Sequence, residues 1–200
     1  NNTVPFADKF RTIADKALDP TAPVAEVIPS PWTQLNRYLK DGGIGSGQLV
    51  TIAARTSVGK TVMATNWAAH AASLGKKVMY ISLEVDETDI IMRMVAYSND
   101  IFLSDLSPTK ASTNDFAKEK IATAFDNISN WDVIVDDEPG LTLDKITAKA
   151  YTKKKTDGLD VLFIDYLGLI SISGRSKREE MATLSRTFKI LARRLGIPIV

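Results

Sequence analysis

The chain has 200 residues, 44% of them hydrophobic, enough apolar material for one α/β domain with a sizeable core. Its 25 basic and 24 acidic residues leave a net charge of +1, so bulk charge names no partner, and the absence of cysteine removes disulfides and thiolate metal sites. No apolar stretch of about 18 residues could span a membrane and no signal-peptide pattern is present, so a reducing, cytoplasmic setting is predicted.

In residues 3–19, Phe6, Phe10, Ile13, Ala14 and Ala17 recur at helical spacing, and Pro20, Pro23, Pro29 and Pro31 then break the chain. This predicts an amphipathic linker helix and a proline-rich linker over residues 1–27, ahead of a separate folded domain over 28–200. Periodicity leaves open whether the apolar stripe meets its own domain or a neighbour. A short helix is expected over Trp32–Leu39, a Gly-rich turn over Gly42–Gly47, and the first core strand over Leu49–Ala53.

Ala54, Arg55, Thr56, Ser57, Val58, Gly59, Lys60 and Thr61 follow that strand and open a helix. A tight loop feeding a helix N-terminus aims backbone N–H groups and the positive end of the helix dipole at one point, so the segment reads as a phosphate-binding P-loop. Gly59 lets the backbone close, Lys60 reaches the β and γ phosphates, and the Thr61 hydroxyl ligates Mg²⁺. Ala54 stands where the usual string has Gly, which is tolerable if its φ stays negative.

Helices are then predicted over Thr61–Leu74, Thr88–Ala96, Asn114–Asn127, Thr142–Lys154 and Arg178–Leu195, the last ended by Gly196 and Pro198. They alternate with strands over Lys77–Leu83, Val133–Val135 and Val161–Ile164. Short, nearly all-apolar strands separated by helices argue for a mostly parallel sheet covered on both faces. The chain starts at Asn1 without Met and stops at Ile199 and Val200 in what reads as a strand, which suggests a piece of a longer protein.

In such a sheet ligands lie at the carboxyl ends of strands, so polar residues placed just after strands are the candidates. Glu84 follows the run Val78–Leu83, where a carboxylate could polarise an attacking water or could simply be a helix N-terminal charge. Asp165 caps four apolar residues, as expected of the acidic group that holds Mg²⁺ directly or through water. Asp136, Asp137 and Glu138 also follow a strand, but with Pro139 and Gly140 they read as turn chemistry. His70 has no second ligand of its kind and reads as a surface or packing residue. From Ser171 to Val200 there are seven Lys or Arg against two Glu. Met181, Leu184, Phe188, Leu191 and Leu195 are predicted to face the core, leaving Arg186, Lys189 and Arg193 on the opposite side as a solvated face, a subunit interface or a nucleic-acid track. The loop bearing Arg175, Lys177 and Arg178 is a candidate DNA phosphate contact.

The order of these motifs resembles the C-terminal ATPase domain of the DnaB family of replicative helicases, a RecA-like fold, over roughly residues 28–200. The resemblance rests on W-x-x-L-N at Trp32–Asn36, GG-x-x-x-G-x-L at Gly42–Leu49, the P-loop string at Ala53–Thr61, YISLE at Tyr80–Glu84 with Arg93 and Met94, DD-x-PGLT at Asp136–Thr142, IDYLGLI at Ile164–Ile170, and LSR-x-x-K-x-LA at Leu184–Ala192. It implies an ATP- or other NTP-hydrolysing hexameric ring that translocates on single-stranded DNA, with Mg²⁺ as cofactor and a primase or helicase loader among its partners. In that frame Lys60 and Thr61 bind phosphate and Mg²⁺, Glu84 is the catalytic base, Asp165 is the Walker B carboxylate, and the helix over residues 3–19 docks on the neighbouring subunit. Gly168 stands where the family usually has Gln. The family's polar sensor strand, main DNA-binding loop and arginine finger lie beyond Val200. The alternative is a RecA-like nucleotide-dependent assembly or scaffold ATPase that does not unwind DNA. A small-molecule kinase fits less well, since no Arg-rich lid insertion follows the expected strands.

Overall fold

The computed structural model of the chain describes residues 5–21, 26–107, 115–170 and 176–200. Helix α1 (Phe6–Leu18) lies inside the predicted 3–19 span, with Asp8 in its first turn and Lys16 in its last, the polarity a helix dipole favours. None of its residues is buried, and Phe6 is 86% exposed. Strand β1 (Val27–Ile28) pairs antiparallel with β2 (Ile44–Gly45), so the folded unit takes in Val27, within the stretch predicted as linker, and the Gly-rich turn contains a strand.

Between them helix α2 (Thr33–Asn36) is shorter than the expected Trp32–Leu39. Asn36 explains both the stop and the motif: its Oδ1 accepts from the Ser30 backbone N–H at 2.8 Å, and its Nδ2 donates to the Ser30 carbonyl at 2.8 Å. That clasp seats Trp32 edge-on against Trp67, with ring centroids 6.4 Å apart, and the Trp67 Nε1 donates to the Pro29 carbonyl at 3.0 Å. The Trp-x-x-Leu-Asn string thus staples the entry segment to the domain.

Among the described residues the remaining α-helices and strands are α3 (Lys60–Ser73), β3 (Val78–Ser82), α4 (Glu87–Ser98), α5 (Asp115–Ile128), β4 (Val133–Asp136), α6 (Leu143–Thr156), β5 (Val161–Asp165) and α7 (Lys177–Leu195). Strands β4, β3 and β5 pair in parallel in that order, with Tyr80 opposite Val135 on one side and Phe163 on the other. Beyond β5 the sheet continues through the end of the chain: Val200 donates to the Leu162 carbonyl at 2.9 Å, and Val50 donates to the Ile199 carbonyl at 2.8 Å. Among the described residues the segment leading to the P-loop is therefore the outermost, separated from β5 by residues 197–200.

The predicted strand Leu49–Ala53 is corrected here. Leu49 forms a single parallel bridge to Ile199, and Thr51–Ala53 lie outside the described ladders. The Val50 N–H is the last to pair with residues 197–200, and Thr51 and Ala53 are exposed.

Side chains alternate across this sheet with the period of two that a strand imposes. Val161 and Phe163 of β5 and Val78 and Tyr80 of β3 pack under Trp67 of α3 and Ile90 and Met94 of α4. Leu162 and Ile164, with Met79 and Ile81, pack on the other face against Ile146 of α6 and Leu184, Phe188 and Leu191 of α7. Burying each such side chain contributes about 1.5–3 kcal/mol, so helices on both faces hold the strands in place. Helix α7 starts with a capping box between Ser176 and Glu179 and ends at Gly196 with φ 65. Met181 does not join its buried face as predicted: it is 38% exposed, and Glu180, paired with Lys177 at 3.0 Å, occupies the inward position. The ion pair lets a carboxylate lie at the edge of the apolar stripe. Among the described residues, no helix is long and apolar enough to cross a membrane.

Candidate functional site

The P-loop is shaped by two left-handed residues, Ser57 with φ 64 and Gly59 with φ 106. Such alternation turns successive N–H groups inward, and the free first turn of α3 adds more. Ala54 keeps a negative φ, so its methyl costs no backbone strain. The Lys60 ammonium lies over the loop, donating to the Ala54 and Arg55 carbonyls at 3.2 Å each. Thr61 stands one residue into α3, and its carbonyl is held by the Thr65 hydroxyl at 2.9 Å.

Three chain segments distant in sequence meet around this loop in a cavity of about 710 Å³. Its wall includes Thr56, Ser57, Gly59, Lys60 and Thr61 from the loop, Glu84 and Arg93 from the β3–α4 region, and Asp165 and Tyr166 from the end of β5. Ala54 also lines it, whereas Arg55 and Val58 do not, and Val58 is 69% exposed.

Glu84 is placed by the turn at the end of β3. The Ser82 hydroxyl donates to the Val85 carbonyl and accepts from the Val85 N–H, and Asp86 caps α4 by accepting from the Asp89 N–H at 2.9 Å. The Leu83 N–H donates to the Asp165 carbonyl at 2.7 Å, which ties this turn to the end of β5. Glu84 itself is exposed to the cavity, a suitable setting for a carboxylate that must meet water.

Asp165 is buried at 5% exposure and shares the face of β5 that carries Val161 and Phe163, beneath α3. Its Oδ2 accepts from the Tyr80 hydroxyl at 3.1 Å. Burial, reinforced by the Asp165 charge and this hydrogen bond, holds the Tyr80 phenol well above its ordinary range, with Arg93 opposing weakly. Tyr80 therefore remains a donor at every physiological pH. Asp165 and Thr61 both line the cavity, and their few hard oxygen donors would suit Mg²⁺ completed by phosphate oxygens and water.

Two cavity residues carried no assigned role in the sequence. Arg93 sits between the buried Ile90 and Met94 on α4, and its Nε is buried with no hydrogen-bond partner among the described residues. An unmade hydrogen bond at a buried charged group is costly, and an anion in the cavity would supply the acceptor. The signal in the sequence was an arginine at the inward register of an amphipathic helix. Gly168 lies under the Tyr166 ring, where an added Cβ would approach Tyr166 Cε2 to 2.6 Å. A larger side chain there would displace this aromatic wall of the cavity.

The remaining candidates lie elsewhere. Asp136, Asp137 and Glu138 serve the corner between β4 and α6: Asp136 pairs with Lys149, Glu138 with Lys145 at 2.9 Å and Lys149 at 2.8 Å, and Asp137 accepts from the Glu87 N–H at 2.9 Å. Lys145 and then Lys149 hold Glu138 down to about 2, and Asp136 raises Lys149. His70 is half-buried on α3, and burial lowers its pKa. Arg186, Lys189 and Arg193 are exposed on α7, yet Lys189 donates to the Gly47 carbonyl at 2.8 Å. Arg175 lies outside the described residues. Lys177 is exposed but paired with Glu180, and Arg178 is exposed.

Residues 28–200 match the family model described as the DnaB-like helicase C terminal domain. The chain is 36% identical over 177 residues to the replicative DNA helicase DnaB of Geobacillus stearothermophilus, and 35% over 177 residues to the replicative DNA helicase DnaC of Bacillus subtilis (strain 168). Each alignment covers 86% of this chain and 38% of the relative, so the chain spans well under half the length of these proteins. A solved structure titled as a DnaB-like replicative helicase and its interactions with primase aligns with a TM-score of 0.84 at 25% identity, over 100% of this chain and 48% of that one. With a RecA-like sheet, a P-loop and a carboxylate at each of the two expected strand ends, the chain belongs to the DnaB-like helicase C-terminal domain family.

Proposed function

We propose that this chain is the ATP-hydrolysing motor domain of a hexameric replicative DNA helicase that translocates on single-stranded DNA. The observation that carries the reading is the convergence of Lys60, Thr61, Glu84 and Asp165 on one cavity. The loop N–H groups and Lys60 bind the phosphates, Arg93 adds a second cation from α4, and Thr61 with Asp165 would hold Mg²⁺. When bound, Mg²⁺ would neutralise charge on the β and γ phosphates. Glu84 orients a water for attack on the γ phosphate and takes its proton. A cytoplasmic protein with a primase or loader partner follows from the same reading.

Helix α1 supports the ring. Its exposed Phe6, Phe10 and Ile13 precede the proline-broken segment and would dock on an adjacent copy, giving a head-to-tail contact that closes when the rotation fits. DNA contacts would come from Arg175, Lys177 and Arg178, with Arg178 the freer of the two described, since Lys177 already pairs with Glu180.

Two substitutions test the site. Lys60→Ala should abolish hydrolysis while the melting curve stays unchanged, because Lys60 touches no core packing. Glu84→Gln keeps the shape but not the base, so nucleotide binding should persist while turnover falls by about 10²-fold or more. Near wild-type hydrolysis in Lys60→Ala would overturn the site. DNA-stimulated turnover without strand separation in the complete protein would instead favour a scaffold ATPase.

A further inference from the structure

Tyr80 occupies the centre of the sheet with no exposed surface, where phenylalanine would pack equally well. Its Cα pairs with Phe163, and the two rings stack at 6.0 Å with an interplanar angle of 14°. Asp165 lies two residues beyond Phe163, so both side chains are on one face of β5, and the stack aims the phenol diagonally along that face. The hydroxyl reaches Asp165 Oδ2 at 3.1 Å. Neither the core nor the ladder uses this hydroxyl, so its role lies in that acceptor.

We infer that Tyr80 is a positioning residue whose hydroxyl holds Asp165 Oδ2 from beneath and leaves Oδ1 free to serve the divalent cation in the cavity. A carboxylate buried at a strand end can otherwise rotate about its last bond, and each wrong rotamer removes a ligand from the cation. Partners of this kind orient metal-binding carboxylates, and their loss lowers metal affinity about 10–100-fold. Stacking on Phe163 and enclosure by Trp67, Ile90 and Met94 fix the ring, so little motion is lost when the cation arrives. The inference rests on the nucleotide-site reading proposed above.

The test is a Mg²⁺ titration of fluorescent ATP-analogue binding to the full chain, with hydrolysis not measured. In Tyr80→Phe the Mg²⁺ concentration giving half of the affinity enhancement should rise about tenfold, while the affinity in EDTA stays near wild type and the melting temperature falls only modestly. Phe163→Leu, which loosens the stack but keeps the phenol, should give a smaller rise. In an Asp165→Ala background, which removes the acceptor, Tyr80→Phe should add no further shift. An unchanged Mg²⁺ dependence in both single variants overturns the role of Tyr80 and leaves the site reading intact. An equal shift in the Asp165→Ala background also overturns it, because the phenol would then act elsewhere. Wild-type binding without any Mg²⁺ dependence overturns the site reading and this inference together.

Discussion

Helices α1 and α7 carry nearly the same apolar pattern and have opposite surroundings. Phe6, Phe10 and Ile13 of α1 are spaced 4,3 and are 86%, 62% and 64% exposed; Leu184, Phe188, Leu191 and Leu195 of α7 are spaced 4,3,4 and are all buried. The difference is connectivity. Helix α7 is tied at its C-terminal end by Gly196 and the paired segment 197–200, which presses its stripe against β5. Among the described residues helix α1 has no such tether, and Pro20 follows it. A helical stripe declares that a surface will be covered, and the chain's path decides by what. At 13 residues α1 is also short enough to be marginal on its own in water.

This comparison can be broken or sharpened by experiment. Phe188→Ala should cost about 3–5 kcal/mol in urea unfolding, whereas Phe10→Ala should stay within about 0.5 kcal/mol in dilute, unassembled protein. Comparable losses at the two sites would mean that α1 covers its own domain in solution. Next in size is the cap: Ser176→Ala removes the α7 capping box and should cost about 1 kcal/mol, readable in the same assay. Helix α1 starts at Pro5 with no side-chain cap, so Pro5→Ala should leave stability unaltered.

A third outcome concerns protection rather than global stability. Hydrogen exchange should find α1 amides almost unprotected in dilute protein and slowed in the assembled ring, while α7 amides are slow in both. Unchanged α1 exchange on assembly would remove the proposed docking. The smallest effect belongs to exposed charge. Glu138 falls from an ordinary value of 4.5 to about 2 beside Lys145 and Lys149, so its contribution is fully present above about 4.5 and is lost as pH falls toward 2. Glu138→Gln should slightly flatten the acid limb of the stability curve there, and an unaltered limb would show that these surface pairs contribute nothing.

Much of the site was legible because it is local. Gly59, Lys60 and Thr61 sit in one loop and the helix it opens, and Asp165 ends an apolar run, so neither group needs a distant residue to be picked out as a candidate. Glu84 was legible as a carboxylate after a strand, but its place in the cavity required β3 to lie beside β5. Arg93 and Tyr80 went unassigned because an arginine in a helix and a tyrosine in a strand are ordinary until register shows what they face. The exchange of Met181 for Glu180 at the inward position of α7 arose similarly, since Lys177 neutralises a carboxylate that hydropathy places outside.

By itself, then, the amino-acid order determined the alternation of strands and helices, the phosphate loop, the terminal carboxylates and the existence of two striped helices. These follow from periodicity and short-range backbone chemistry, which act over a few residues. Tertiary structure alone decided that residues 197–200 separate the P-loop segment from β5, that Tyr80 meets Asp165 across 85 residues of chain, and which stripe is covered. Those outcomes depend on strand order and on packing between elements remote in sequence, and they are settled when the whole core closes.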